Sequence, residues 1–201
     1  MIAIVDYGMG NLGSIQNMFK YIGVQTKITG DAKLIESADK ILLPGVGAFD
    51  QAMTRINESG LRDVLDHQAL NQKIPILGIC LGMQLLTNSS EEGELPGLGW
   101  INAKATKIPA VDGLKVPHMG WNGVTQCWDS ALIRDLPTES RFYFVHSYAV
   151  QVQNPKNSIL KANHGINFDA AIEDGNIYGA QFHPEKSHKF GMQLLKNFAR
   201  L

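Results

Sequence analysis

The sequence predicts an open α/β fold: a mostly parallel sheet with helices on both faces and an additional smaller β region in the second half. Two observations lead there. Short apolar runs alternate with helical periodicity up to about residue 90, and several of those runs close on glycine-bearing turns. Beyond Glu91 the helical pattern gives way to short strand-like runs broken by Gly93, Pro96, Gly97 and Gly99.

The first run, residues 1–7, ends on a glycine-rich turn, after which Leu12, Ile15, Met18, Phe19 and Ile22 recur at helical spacing. Strands are expected at 24–28 and 40–43, one or two amphipathic helices at 49–70, a buried strand at 74–79 and a helix opening at 81–86. Parallel strands require crossovers, so helices should cover both faces. In the second half, strand-like runs fall at 101–108, 123–126 and 141–150, then at 159–162, 170–172 and 177–182. The chain closes with a helix at 187–201 that carries Phe190, Leu194, Leu195, Phe198 and Leu201 on one face, with Ser187 as its N-cap. No repeat or low-complexity tract interrupts this order, and residues 1–201 are expected to form one domain.

Composition removes several classes of function. Eighteen basic and nineteen acidic residues leave a net charge of −1, so no bulk field favours nucleic acid or an anionic membrane. The apolar run at the N-terminus has no basic residues ahead of it and is too short for a signal core or a membrane span, which points to a cytoplasmic protein. Two cysteines, Cys80 and Cys127, supply neither a disulfide framework nor a four-ligand zinc site. His67, His118, His164 and His188 show no metal-ligand spacing, and neither metal nor cofactor is expected. Cys127, beside Trp128 in a turn-like stretch, receives no role.

Three segments carry chemistry. In Pro75-Ile76-Leu77-Gly78-Ile79-Cys80-Leu81-Gly82-Met83-Gln84, a cysteine sits between an apolar strand and a helix with glycine two residues to either side. This is a nucleophile elbow with sulfur in place of oxygen. The glycines relieve crowding at the turn, and the start of the helix favours a thiolate. A small buried cysteine would carry the same letter, so this segment alone does not decide the matter.

A thiol nucleophile needs a base, and the base needs an orienting carboxylate. Gln181-Phe182-His183-Pro184-Glu185-Lys186-Ser187 offers both at the end of an expected strand. If the backbone stays extended, His183 and Glu185 project to the same side, and Pro184 biases His183 toward that geometry. The third segment, Leu42-Leu43-Pro44-Gly45-Val46-Gly47-Ala48-Phe49, can present backbone amides to an oxyanion, with the amide of Leu81 as the second donor. All three lie at carboxyl ends of expected strands, where open α/β sheets assemble their sites.

In order and separation these segments resemble the class I, or triad, glutamine amidotransferases, and the likeness runs essentially the whole length of the chain. The resemblance implies that Cys80 attacks the side-chain amide of glutamine, that His183 shuttles the proton to ammonia and that Glu185 orients His183. It implies that Gln84, the backbone around Gly45, Val46 and Gly47, and the stretch His146-Ser147-Tyr148 hold the glutamine. Val5-Asp6-Tyr7-Gly8-Met9-Gly10-Asn11-Leu12 and Val116-Pro117-His118-Met119-Gly120-Trp121-Asn122 further resemble the glutaminase subunits of imidazole glycerol phosphate synthases. That likeness implies a heterodimer with a separate β/α-barrel cyclase subunit, which uses the ammonia to make imidazole glycerol phosphate and aminoimidazole carboxamide ribotide in histidine biosynthesis. It places Gly10, Asn11, Pro117, Met119 and Trp121 toward that partner.

Gly8-Met9-Gly10-Asn11-Leu12-Gly13 also satisfies a dinucleotide fingerprint. A second strand closing on an acidic residue should accompany it, yet residues 24–28 run only loosely into Asp31. A turn facing the partner is the preferred reading. A self-sufficient hydrolase of the same elbow type would be active alone, and a nucleotide-binding module would ignore Cys80→Ala.

Overall fold

The computed structural model describes residues 1–110 and 113–201. Its first half alternates strand and helix: β1 (Ile2–Val5), α1 (Leu12–Tyr21), β2 (Thr26–Thr29), α2 (Ala32–Glu36), β3 (Lys40–Leu43), α3 (Phe49–Glu58), α4 (Leu61–Asp66), β4 (Ile76–Ile79) and α5 (Leu81–Leu85). The second half holds β5 (Ser89–Ser90), β6 (Ala103–Lys107), β7 (His118–Gly123), β8 (Thr125–Gln126), β9 (Arg141–His146), β10 (Tyr148–Val152), β11 (Ser158–His164), β12 (Ile166–Asp174), β13 (Ile177–Ala180) and α6 (His188–Arg200). Most expected elements are present, shifted by a few residues at their ends, but the run at 141–150 is broken at Ser147 into β9 and β10, which lie in different sheets, and β5 and most of β7 fall where no strand was expected. Helix α2 is additional, capped by the Asp31 carboxylate on the amide of Lys33.

Eight strands form the main sheet in the order β2-β1-β3-β4-β13-β12-β11-β8. The first five pair in parallel, whereas β12, β11 and β8 continue the sheet antiparallel. The β-rich second half is therefore divided. Part of it extends the main sheet, and the rest forms two small sheets, β10-β6-β5 and β7-β9.

Alternation along β1 shows why both faces are apolar. Ile2 and Ile4 join a core with Ile15 and Phe19 of α1 and Leu194, Leu195 and Phe198 of α6. Ala3 and Val5 point into a second core with Phe49, Met53 and Ile56 of α3 and Leu61 and Leu65 of α4. The apolar face of α6 is buried as its periodicity requires.

Two local expectations fail. The strand at 177–182 stops at Ala180, and Pro184–Lys186 forms a 3₁₀ turn, so the backbone between His183 and Glu185 is not extended. Proline at the first position of that turn supplies the φ it needs. Ser187 does precede α6, but its hydroxyl makes no cap. It donates to the carbonyl of His183 at 2.6 Å and accepts from the amide of Tyr143 at 3.0 Å, tying the turn to β9.

The glycine fingerprint is a turn. Gly8 and Gly10 adopt φ of 82° and 112°, and Asp31 is engaged in capping α2. Gly13 has open space where a Cβ would stand, although a fingerprint's third glycine is needed for close helix packing. Gly10 lies instead against Pro44, placing this turn on the Pro44–Gly47 loop.

Candidate active site

The site gathers at the carboxyl ends of β3, β4 and β13. Cys80 links β4 to α5 with φ 55° and ψ −111°, a backbone conformation that a side chain rarely tolerates. Backbone packing enforces it. A Cβ on Gly78 would stand 2.6 Å from the carbonyl oxygen of Gly82, and one on Gly82 would stand 1.9 Å from that of Leu43. Both flanking glycines are thus needed for the close approach of backbone to backbone, and the amide of Cys80 is pinned to the carbonyl of Ala180 at 2.7 Å.

Glu185 reaches His183 across the 3₁₀ turn, with Oε1 at 2.8 Å from Nδ1. Both side chains are almost fully buried. The carboxylate fixes Nδ1 as the protonated nitrogen and leaves Nε2 turned toward Cys80. Burial disfavours a charged imidazole, but hydrogen bonding to Cys80 and Glu185 and the charges of both outweigh it and push the His183 pKa up to about 9.

A cavity of about 360 Å³ opens over these groups, lined by Val46, Gly47, Cys80, Leu81, Gln84, Glu92, Pro117, Val145, His146, Ser147, Tyr148 and His183. All the residues expected around glutamine line it except Gly45, which is buried directly beneath, against the amide of Gly82. Glu185 stands behind His183 rather than in the wall. The Pro44 carbonyl is held by the Tyr7 hydroxyl at 2.6 Å, and burial pushes that phenol well above its ordinary pKa, so it remains a donor. Val46 and Gly47 by contrast are exposed, Gly47 at φ 104°. Leu81, as the first residue of α5, has an amide with no acceptor inside its helix.

Two participants escaped the sequence reading. Gln181 is fully buried, its Nε2 3.9 Å from Cys80 Sγ and its Oε1 accepting from Gln84 Nε2 at 3.2 Å. Glu92 turns a carboxylate to the cavity while Oε2 accepts from the Phe49 amide at the start of α3. Burial pushes its carboxyl above the usual range. Gln181 is two residues before His183 on the same chain, a spacing that could have flagged it; Glu92, in a loop, gave no local signal.

Of the residues expected at a partner, Pro117 lines the cavity and Gly10 packs on its loop. Met119 is 63% and Trp121 44% exposed. Trp121 stacks on His188 with ring centroids 5.5 Å apart, and the Arg141 guanidinium lies 5.6 Å from its ring. Asn11 caps α1 through its side chain. Among the described residues no cluster of His, Cys, Asp or Glu is placed to hold a metal ion, and no helix is long and apolar enough to cross a membrane.

An elbow cysteine facing an imidazole backed by a carboxylate, at the carboxyl edge of an open α/β sheet, defines a class of proteins equipped for acyl transfer through a thiol. Comparison with known proteins narrows the class. The model of the family described as glutamine amidotransferase class-I matches residues 3–201. Imidazole glycerol phosphate synthase subunit HisH 2 of Methanococcus maripaludis is 54% identical, the alignment covering 100% of this chain and 99% of the relative. The HisH subunit of Bdellovibrio bacteriovorus is 50% identical with full coverage of both. Among solved structures, a glutamine amidotransferase aligns with a TM-score of 0.77 at 15% identity over 100% of each chain, a likeness of fold alone. The chain belongs to the class I glutamine amidotransferase family.

Proposed function

We propose that this chain, acting as a single amidotransferase domain over residues 1–201, is the glutaminase subunit of an imidazole glycerol phosphate synthase, releasing ammonia for a partner subunit in histidine biosynthesis. The observation that carries the chemistry is the convergence of Cys80, His183 and Gln84 on one cavity, with Glu185 2.8 Å behind the imidazole.

The Cys80 thiolate attacks the side-chain carbonyl carbon of glutamine. The oxyanion that forms is received by the amide of Leu81 and by backbone of the Gly45–Val46–Gly47 loop. His183, protonated on Nε2 and stabilised in that state by Glu185, gives the proton to the leaving nitrogen. Ammonia departs and a glutamyl thioester remains. Water then attacks the thioester as His183 takes its proton, and glutamate leaves with the thiolate restored. Gln84 and the backbone of His146, Ser147 and Tyr148 hold the amino-acid end, and Glu92 offers a carboxylate to its ammonium group.

The partner is a β/α-barrel cyclase that seats on Gly10, Asn11, Pro117, Met119 and Trp121, beside the mouth of the cavity. The exposed Val46–Gly47 backbone turns its donor inward when the partner holds its acceptor, which limits wasteful hydrolysis. Glutamate release from glutamine tests the whole reading, measured on the chain alone and with a histidine-pathway cyclase and its acceptor, with Cys80→Ala as control. Strong stimulation by the cyclase that disappears in the variant is expected. Equal turnover without the cyclase would point to a stand-alone hydrolase, and stimulation only by another acceptor enzyme would reassign the pathway.

A further inference from the structure

Strand β7 has two faces with different fates. Met119 and Trp121 point outward and are exposed, while His118 and Asn122 turn inward. His118 lies directly opposite His146 in the β7–β9 pair, its ring held between Phe144, 4.8 Å away, and His164, 4.1 Å away, both nearly parallel to it.

The hydrogen bonds around these two rings permit one arrangement of protons. His146 Nδ1 is 2.8 Å from the carbonyl of Tyr148, which can only accept, so Nδ1 donates. Both rings are neutral: burial first, then the charges of neighbouring histidines, push His118 down to about 3 and His146 to about 4, the Tyr148 carbonyl opposing this at His146. His146 Nε2 therefore accepts, and His118 Nδ1, 2.9 Å away, donates to it. His118 Nε2 must then accept, and the Asn122 amide at 3.2 Å donates. The Tyr148 carbonyl where the chain ends also receives Gln84 Nε2 at 3.1 Å.

We propose that His118 is a positioning residue for the glutamine pocket: through His146 it fixes the 146–148 wall and holds the Tyr148 carbonyl against Gln84, linking that wall to the strand whose other face is exposed. This rests on the reading of the cavity as a glutamine site. His118 does not itself line the cavity, so its loss weakens binding of the amino acid and leaves the nucleophile as it was.

Calorimetric titration of L-glutamine into the Cys80→Ala chain, alone and combined with His118→Phe or His118→Asn, tests it. Phenylalanine keeps the stacked ring but donates nothing, and asparagine places an amide near the position of Nδ1. H118F is expected to weaken glutamine about tenfold, equivalent to about 1.4 kcal/mol, and H118N to return affinity to within about threefold of the parent. Alkylation of Cys80 by iodoacetamide, in the H118F chain with its cysteine intact, should stay within about twofold of wild type. Unchanged glutamine affinity in H118F, equal loss in H118N, or a parallel fall in alkylation would overturn the proposal. Should H118F fail to fold, Asn122→Ala takes its place, with about threefold weaker glutamine expected and unchanged affinity again overturning it. A folded Cys80→Ala chain that binds no glutamine would instead overturn the glutamine reading itself.

Discussion

The cavity has two walls built by different means. On one side Cys80, His183 and Gln181 are buried, with the Glu185 side chain buried behind the imidazole, and the turn at Cys80 is held by its bond to Ala180 and by glycine contacts in which main chain touches main chain. On the other side Val46, Gly47 and Ala48 are exposed loop, with Met119 and Trp121 exposed beyond Pro117. On the proposed function, the groups that exchange bonds and protons are the buried ones, and those assigned to the partner and to control of access are the exposed ones. The contrast implies that substitutions in the first wall act on the chemical step and substitutions in the second act through the partner.

The largest effect that would break this contrast belongs to Cys80→Ala, expected to lower glutamate release by at least about 10⁴-fold with or without partner. Residual turnover above that level would mean that another group performs the attack. Next, Glu185→Gln should cost roughly 10²- to 10³-fold in kcat with little change in KM, because the ring loses its orienting charge while the pocket stays intact. An equal effect of partner-side substitutions on free-chain kcat would erase the distinction between the walls.

The third expectation concerns pH. His183 has its folded pKa raised from 6.5 to about 9. The stability it contributes is therefore fully present below about pH 6.5 and lost as pH rises through about 9. Urea midpoints should fall between those values in the parent chain and fall less in Glu185→Gln. The rate of thioester formation should decline over the same alkaline limb, as the proton needed by the departing ammonia is lost. The smallest effect belongs to Trp121→Ala, which removes a stacked, half-exposed ring. It should weaken partner affinity about ten- to hundredfold, corresponding to about 1.4–2.8 kcal/mol, with free-chain turnover within about twofold of the parent by the same glutamate assay.

The first wall was the more legible in sequence. Strand, turn and helix repeat within a few residues of one another up to Gln84, and the Gly78–Cys80–Gly82 spacing is a local consequence of one crowded turn. The His183 and Glu185 pair was also readable as residue types, although the geometry that joins them is a 3₁₀ turn rather than extended chain. Local pattern could not anticipate Ser187 abandoning its cap for Tyr143, since that bond joins elements 44 residues apart. The same holds for His118 and His146, separated by 28 residues and paired only because β7 and β9 align. Glu92 likewise acquires its place through the amide of Phe49, 43 residues earlier. Periodicity reports which face of an element is apolar, and says little about which polar groups meet across the fold.

Gly82 carries one more implication, for how such a chain tolerates change. Its missing side chain is the space occupied by the carbonyl of Leu43, so even a methyl group would have to push the end of β3 away from α5. A saturation survey scored only for soluble, folded protein should therefore leave position 82 empty, while position 13, glycine too but facing open space, accepts alanine freely. Two identical letters, one forbidden to mutate and one replaceable, would mark the place where architecture and chemistry share a single atom's width.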